Sequence, residues 1–476
     1  MTNSALKAAT ETSRIDSVFD RQRSASRRDP YPAYGERIAR LEKLEKILDD
    51  NQAAICQAVN KDYGNRSAQE TRLLEISILL ASIGDTKKQL KKWMKPEKRH
   101  VGLAFFGAKN TVIPQPKGVI GVVSPWNYPL QLALGPAIQA LAAGNRVIIK
   151  MAANSQHLCV LLDQLVTQEF DDEVLAVIPG VSAGDFTRRP WDHLVFTGSP
   201  GTGKVVMETA AQYLTPVTLE LGGKSPTIVA DDFDLRTAAE RIMYGKLINA
   251  GQTCTAPDYL FLPRAKVDAF VAHAKAIVAE RYGSADSKDF TSIIDGKAFE
   301  RVCHTLEDAS AKGARTVNLA PGGAANKFTR KVPPHIVLDV QDDMAIMQDE
   351  IFGPLLPIKP YDSLDEVIGY INANERPLAL YLFTNSQAVQ DKVIYQTISG
   401  GVSVNDTLLH VAQHDMPFGG IGNSGMGHYH GKEGFLEFSK LRPVFKQARR
   451  SGILMLAPPY GPRFEKLIGL MIKFRL

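Results

Sequence analysis

The chain has 476 residues, 44% hydrophobic and 22% charged, the profile of an ordinary soluble globular protein too long for one small core. Its 56 basic and 51 acidic side chains leave a net charge of +5, too small and too scattered to imply a nucleic-acid partner. Cys56, Cys159, Cys254 and Cys303 form no CxxC and no close pair, which excludes a disulfide framework or a metal site of the zinc type and fits a reducing cytoplasm. The first residues lack the basic start, apolar core and small-residue cleavage site of a signal peptide, so a cytoplasmic location is expected.

In chain order, Ile38, Leu41, Leu44, Ile47, Leu48, Ile55 and Val59 recur at helical spacing and predict a helix over 35–60. A second helical stretch runs over 67–94 and stops before Pro96. Both read as packing helices without chemistry. The longest uncharged run, 118–145, resembles a membrane span only superficially. Pro125, Pro129 and Pro136 interrupt it, and Asn127, Gln131 and Gln139 would need partners in lipid. A buried strand followed by a buried helix is the reading, with no integral membrane span.

Alternation follows. Strands are predicted at 118–124, 146–150, 174–179, 193–197 and 217–219, with helices at 130–143, 155–169 and 203–214 between them. This rhythm argues for a parallel sheet covered on both faces. A second α/β stretch runs over 225–403, punctuated by the glycine-rich segment 320–325.

Three short motifs carry chemistry. Cys254 sits in Gly251-Gln252-Thr253-Cys254-Thr255-Ala256-Pro257, among small and polar residues rather than an apolar wall. Glu220, 34 positions upstream, lies in Leu219-Glu220-Leu221-Gly222-Gly223-Lys224-Ser225-Pro226. Asn127 lies in Pro125-Trp126-Asn127-Tyr128-Pro129. A nucleophile, a carboxylate base and an oxyanion donor are the parts needed for covalent catalysis at a carbonyl carbon. Each has a plainer reading: a small buried hydrophobe for Cys254, a solvated strand-end charge for Glu220, a turn residue for Asn127. The segment Phe196-Thr197-Gly198-Ser199-Pro200-Gly201-Thr202-Gly203-Lys204 is strand, turn and helix. Val205 stands where a P-loop needs Ser or Thr, and the G-x-G-x-x-G fingerprint is not matched. Taken alone, the turn stays open between phosphate binding and a plain tight turn.

These motifs, with Glu350-Ile351-Phe352-Gly353-Pro354 and Pro417-Phe418-Gly419-Gly420, resemble the aldehyde dehydrogenase superfamily from about Pro32 to Lys440. The segment 423–432 resembles its class 3 branch. Trp93-Met94-Lys95-Pro96 and Pro458-Pro459-Tyr460-Gly461 resemble the bacterial coniferyl-aldehyde dehydrogenases. The resemblance implies an α/β fold in three parts. These are a Rossmann-like parallel-sheet NAD(P)-binding domain over 1–100 and 119–219, an α/β catalytic domain over 220–402, and a small β oligomerisation element over 101–118 and 403–445. A tail over 446–476 follows. It also implies a homodimer, a small-molecule aldehyde substrate and NAD or NADP as cofactor.

By the same resemblance Cys254 attacks the aldehyde, the Asn127 amide holds the oxyanion, and Glu220 activates water against the resulting thioester. Gly198, Ser199 and Gly203 belong to a turn that meets the cofactor pyrophosphate. Lys150 is assigned to the adenosine ribose and Glu350 to the nicotinamide ribose. Phe418 is assigned to the nicotinamide or the reacting thiol and Trp126 to the cofactor, while His430 is left open between touching the pocket and packing, with no catalytic role. One departure matters. The family follows this lysine with Pro-Ser-Glu, whereas here Lys150-Met151-Ala152-Ala153 lacks the glutamate that repels a 2′-phosphate. Tolerance of NADP is the expectation, with Arg188 and Arg189 as candidate phosphate partners. Substrates of the coniferyl type are favoured over fatty or medium-chain aldehydes. A catalytically silent binding protein is the reading from another class, and the intact set of three residues speaks against it.

The tail carries Phe464, Leu467, Ile468, Met471 and Ile472 at helical spacing beside Lys466, Lys473 and Arg475. Docking of this amphipathic helix on the protein, near the substrate mouth, is favoured over a membrane surface.

Overall fold

A computed structural model describes residues 3–320 and 323–475, in which the apolar runs assemble into three sheets. The six-stranded sheet is built on Val119–Ser124, flanked by Arg146–Met151 and His193–Gly198. Leu175–Val177 extends it on one side and Val217–Leu221 on the other, all five in parallel. Helices bury both faces of these strands, which is why they read as unbroken apolar runs rather than alternating ones. On one face lie Tyr34–Asp50, Gln52–Tyr63, Ser77–Trp93, Pro129–Ala142 and Gln156–Glu169. Asn3–Arg28 and Pro200–Ala211 pack on the other.

The chain builds outward from Val119–Ser124 to Leu175–Val177, then returns to the opposite side with His193–Gly198. Such a reversal opens a crevice at the carboxyl ends of the strands, where α/β sheets bind ligands. Pro125-Trp126-Asn127, Gly198-Ser199 and Glu220-Leu221-Gly222 all leave strands at that edge.

A seven-stranded sheet runs in the order Arg315–Asn318, His335–Leu338, Leu355–Tyr361, Tyr259–Pro263, Pro226–Val229, Ala379–Phe383, Gly401–Val404, parallel but for its first pair. Glu97–Arg99, Lys109–Pro116 and Ser439–Lys446 form an antiparallel three-stranded sheet. Among the described residues no helix is long and apolar enough to cross a membrane.

The structure departs from the sequence reading at several points. The helix Asn3–Arg28 is new; Ile15, Val18 and Phe19 bury one stripe on the sheet. Gln22 donates to the Val147 and Asp172 carbonyls at 3.0 and 2.9 Å, satisfying the nitrogen of the buried amide. The stretch 35–60 breaks at Asn51, whose side chain donates to the Ile47 carbonyl at 2.9 Å. The stretch 67–94 contains a π-helical turn, Arg72–Ile76. Glu97–Arg99, expected with the cofactor portion, joins the three-stranded sheet, and Gly425–Met426, expected in the bridging element, closes the edge of the six-stranded one. The helix expected to begin at Gly203 begins at Pro200. The glycine-rich segment 320–325 lies partly outside the described residues.

Phe19 packs edge-on against Trp191 with ring centroids 5.1 Å apart. Phe19→Ala is expected to cost about 3–5 kcal/mol, read as a lowered midpoint in urea unfolding.

Candidate active site

Cys254 follows the helix Leu235–Leu247 through a turn of unusual backbone. Asn249 and Ala250 both take φ 52°, and Gly251 takes φ 76°. Left-handed conformations at non-glycine residues cost on the order of 1–3 kcal/mol each and persist only where surroundings enforce them. Here the enforcement is visible. The Asn249 side chain donates to the Asn127 carbonyl at 3.0 Å, the Gln252 carbonyl at 3.1 Å and the Tyr63 hydroxyl at 3.2 Å. Its main-chain N–H donates to Glu70 at 3.1 Å. Gln252 returns a bond to the Asn249 carbonyl at 2.9 Å and accepts from Ile294 N–H at 2.9 Å. A Cβ on Gly251 would lie 2.3 Å from the Gly353 carbonyl oxygen, so only glycine fits.

Asn127 is held by its main-chain carbonyl, which accepts from Tyr63 at 2.7 Å, Asn249 at 3.0 Å and Arg66 at 3.3 Å. Arg66 in turn donates to Glu75 at 2.8 Å, both side chains fully buried. The second Glu75 oxygen accepts from Leu130 and Gln131 N–H, at 2.8 and 3.1 Å, at the start of the helix after Asn127. A carboxylate there satisfies orphan donors and complements the helix dipole. Burial, the largest influence, disfavours the Arg66 charge, but Glu75, Tyr63, Glu70 and Tyr128 together outweigh it and hold the guanidinium above its ordinary value. The π turn Arg72–Ile76 carries Glu75, a site where such turns recur in functional regions.

Glu220 leaves the strand Val217–Leu221, whose edge is fixed by pairing of Glu220 with Gly425 and by Leu221 N–H to the Ser424 carbonyl at 3.0 Å. Neither carboxyl oxygen of Glu220 has a hydrogen-bond partner within the chain. Burial first, and the charge of Glu437 second, push this carboxyl well above its ordinary value. Glu350 is raised to about 8 by burial and by Asp258, against a hydrogen bond from Gly223 N–H. Burial, then the charges of Glu350 and Glu220, push the Cys254 thiol up to about 12. Cys254 and Glu350 keep a partial opening while protein surrounds them otherwise. The resting state is therefore electrically quiet: a neutral thiol near two carboxyls that ionise reluctantly.

One cavity of about 360 Å³ gathers these groups. Its lining includes Trp126, Asn127, Gly198, Ser199, Glu220, Cys254 and Glu350. Trp126 meets Phe352 edge-on with ring centroids 5.3 Å apart, giving the cavity an aromatic wall. Phe352 itself takes φ 45°.

Other residues singled out from sequence lie elsewhere. Lys150 sits at the carboxyl edge of the sheet, 9% exposed, outside the lining, its amine lowered by burial. Gly203 does not line the cavity. A Cβ there would come within 2.9 Å of Leu221, so its smallness lets helix Pro200–Ala211 approach the strand carrying Glu220. Ser199 both lines the cavity and caps that helix, accepting from Thr202 N–H at 3.4 Å. Phe418 is buried in the same cluster as Trp126 and Cys254, outside the lining, and stacks on His430 at 5.4 Å. Arg189 is not available to a phosphate: it is buried and donates to Asp16 at 2.6 Å. Arg188 is exposed.

Several supports escaped sequence reasoning. Glu75 lies within the stretch 67–94 read as mere packing, while Tyr63, at the end of Gln52–Tyr63, and Arg66, in the loop after it, fall between the two predicted helices. Lys224 bonds Asp258 and the Ile346 and Asp349 carbonyls, the latter two at 2.8 and 2.9 Å, while Asp258 accepts from Ile351 N–H at 2.9 Å. Arg301 donates to the Ile351 carbonyl at 2.8 Å and the Phe352 carbonyl at 3.3 Å. Together they clamp the loop holding Glu350. A Cβ on Gly222 would lie 2.1 Å from a Glu350 oxygen, so that glycine makes room for the carboxyl. Among these side chains only Lys224 and Asp258 carried a sequence signal, by lying in or beside the short motifs.

The chain matches the model of the aldehyde dehydrogenase family over residues 6–444. It is 48% identical over 461 residues to a probable coniferyl aldehyde dehydrogenase of Pseudomonas aeruginosa, covering 96% of each chain. It is 41% identical over 465 residues to a coniferyl aldehyde dehydrogenase of a Pseudomonas species, again covering 96% of each. Among solved structures it resembles Staphylococcus aureus AldH in a substrate-bound state, with a TM-score of 0.90 and 35% identity, covering 96% of this chain and 99% of that one.

Glu350 gives a signed pH dependence. Its folded-state value of about 8 exceeds its ordinary 4.5, so the folded state binds more protons in between. Its contribution to stability is favourable at low pH and is lost as pH rises through that window. Glu350→Gln removes the titration. The variant is expected to gain stability over the parent at pH 8.5 and to match it near pH 4.5, measured by urea unfolding at both.

Proposed function

The chain belongs to the aldehyde dehydrogenase family, and on that premise we propose that it oxidises a bulky apolar aldehyde of the coniferyl type to its acid with NAD or NADP. One observation carries the reading: Cys254, Glu220 and Asn127 line a single cavity together with Ser199 and Glu350. The substrate class draws on the relatives named for coniferyl aldehyde and on the aromatic wall of Trp126 and Phe352.

The cofactor fits the residues present. Gly198 and Ser199 open a helix N-terminus, a setting that favours an anionic phosphate. One Glu350 oxygen is buried without a partner, ready to accept from a ribose hydroxyl. Lys150 lies on the same sheet edge and is suited to the distal ribose. When bound, the dinucleotide supplies the hydride acceptor.

The chain's own groups do the rest. Glu220 as carboxylate takes the proton from the Cys254 thiol, and burial that raises both values brings donor and acceptor under the same handicap. The sulfur bonds to the aldehyde carbon, and the carbonyl electron pair moves to oxygen. The Asn127 amide, whose loop is fixed by Tyr63, Arg66 and Asn249, donates to that oxyanion; losing one such donor typically costs about 3 kcal/mol of barrier. Loss of hydride from the same carbon leaves a thioester on Cys254. Glu220 gives the first proton up to solvent, and water then gives its proton to the restored carboxylate as its oxygen bonds to the acyl carbon. The carbon–sulfur bond breaks, releasing the acid and restoring sulfur.

Ala153 is exposed beside the sheet edge and offers no negative charge, which supports acceptance of a 2′-phosphate. We also propose a homodimer. Ser439–Lys446 is a long, mostly exposed edge strand of the three-stranded sheet, and such edges are generally covered. The six-stranded sheet is proposed as the cofactor domain, the seven-stranded as the catalytic domain. Cytoplasmic action fits the four free cysteines.

Cys254→Ala is expected to abolish aldehyde-dependent reduction of the cofactor, followed by absorbance; turnover at the parent rate would overturn the reading. Glu220→Gln is expected to lower kcat by roughly 10²–10⁴-fold and to remove the rise of kcat with pH that deprotonation of Glu220 produces. The ratio of kcat/KM for NAD over NADP is expected to fall below about a hundredfold, two decades being ~2.7 kcal/mol of discrimination. A panel of coniferyl aldehyde, benzaldehyde and hexanal ranks the substrates, with coniferyl aldehyde expected first.

A further inference from the structure

A base that works through every turnover has to discharge its proton, and Glu220 has no outlet of its own. It is 2% exposed, and neither carboxyl oxygen has a hydrogen-bond partner within the chain. Its cavity is the side that the proposed substrate and cofactor fill. The tail helix Pro462–Phe474, expected near the substrate mouth, lines no part of that cavity and seats Leu467 and Met471 with Leu103, Phe106 and Met455 instead.

A row of polar groups lies beside the base. Side chains two residues apart on a strand share a face, so Thr218 and Glu220 project together, about 7 Å apart along Val217–Leu221. The Thr218 hydroxyl donates to Glu437 Oε1 at 2.9 Å and accepts from His193 Nε2 at 2.8 Å. Lys117 Nζ donates to His193 Nδ1 at 3.0 Å. Burial first, and the Lys117 charge second, push the His193 ring down to about 3, so it stays neutral with Nδ1 accepting and Nε2–H donating. Every donor in the row therefore points toward Glu437. A Cβ on Gly427, at φ 76°, would lie 2.9 Å from both Glu437 Oε1 and Thr218 Oγ1, so this glycine makes room for the carboxyl. Pairing of Gly425 with Glu220 and Met426 with Leu219 lays the same segment along the base. The side chain of Glu437 is 23% exposed, so the row ends at water.

Resting on the reading of Glu220 as the base, we propose that Glu437 is its proton outlet. The Glu220 O–H bond breaks, and the proton passes through one bridging water to the Glu437 carboxylate, which forms an O–H and then releases the proton to solvent. Glu220 returns to carboxylate, and nothing is oxidised or reduced. Thr218 and His193 hold the acceptor in place without carrying the proton. The titratable groups about this pair are His193, Lys117 and Lys440 on the side of Glu437, and Cys254 and Tyr429 on the side of Glu220.

Glu437→Gln keeps the shape and an acceptor oxygen for Thr218 but cannot take up the proton. In stopped flow with the full-length chain, its first turnover of cofactor reduction is expected at the parent rate, while steady-state kcat in dilute buffer falls at least about tenfold. Imidazole added at fixed pH is expected to restore kcat in this variant and to leave the parent unchanged. Glu437→Asp, which keeps an acid, is expected to retain most of kcat. Parent-like kcat in E437Q, a loss that imidazole does not relieve, or an E437D variant as slow as E437Q would each overturn the outlet. So would a gain of kcat below neutral pH without dependence on buffer, the result if Glu437 acted on Glu220 through its charge alone. A parent that reduces no cofactor with any aldehyde overturns the reading of Glu220 as base, and the outlet with it.

Discussion

Asn249 is the point on which the site's geometry depends. Its backbone adopts a left-handed turn that projects the Cys254 loop, and its side chain spans to the carbonyl of Asn127 at 3.0 Å. The proposed nucleophile and oxyanion donor come from segments over a hundred residues apart, in different sheets' territory. One amide ties them. Tyr63 and Arg66 meet the same carbonyl, and Glu75 links Arg66 to the helix that follows Asn127. Removing one partner of a fully buried ion pair typically costs about 3–5 kcal/mol, and this one reports directly on the donor loop. Asn249 is thus a positioning residue, without contact to the reacting atoms.

The site combines this rigidity with suppressed charge. Three ionisable groups, Cys254, Glu220 and Glu350, are driven toward their neutral forms by burial and then by nearby carboxylates: Glu350 and Glu220 act on Cys254, Glu437 on Glu220 and Asp258 on Glu350. A carboxyl kept out of water without hydrogen-bond partners is poised for proton transfer rather than for structure. Glu350 differs, since Gly223 N–H and the clamp of Lys224, Asp258 and Arg301 fix its loop. One acid is left free and one is held, although the sequence presents both as glutamates beside glycines.

Much of the fold was legible because buried parallel strands print themselves as apolar runs. Those over 118–124, 146–150 and 193–197 lie within a residue or two of the observed Val119–Ser124, Arg146–Met151 and His193–Gly198. The site was legible where glycine and chemistry coincide, at Gly251-Gln252-Thr253-Cys254 and Glu220-Leu221-Gly222. What sequence concealed was long-range pairing. Arg66 looks like a solvated loop charge and Glu75 like a solvated charge on an amphipathic helix, because sequence pattern cannot distinguish a charge facing water from one facing another charge. The π turn at Arg72–Ile76 is invisible to a 3.6-residue count. Gly203 sat in a phosphate-like turn, yet its contact is with Leu221 across the sheet. The helix Asn3–Arg28 escaped because its buried stripe is narrow and its surroundings polar.

The bridge between Gly425 and Glu220 joins positions 205 residues apart. During synthesis the loop of Cys254 emerges long before Glu220, its proposed base, has a neighbour on that edge. The strand bearing the base stays a raw margin until the last tenth of the polypeptide arrives to hem it. Molecules cut short before Gly425 therefore leave the strand of Glu220 unhemmed, and the proposed base gains its settled edge only once that late segment has arrived.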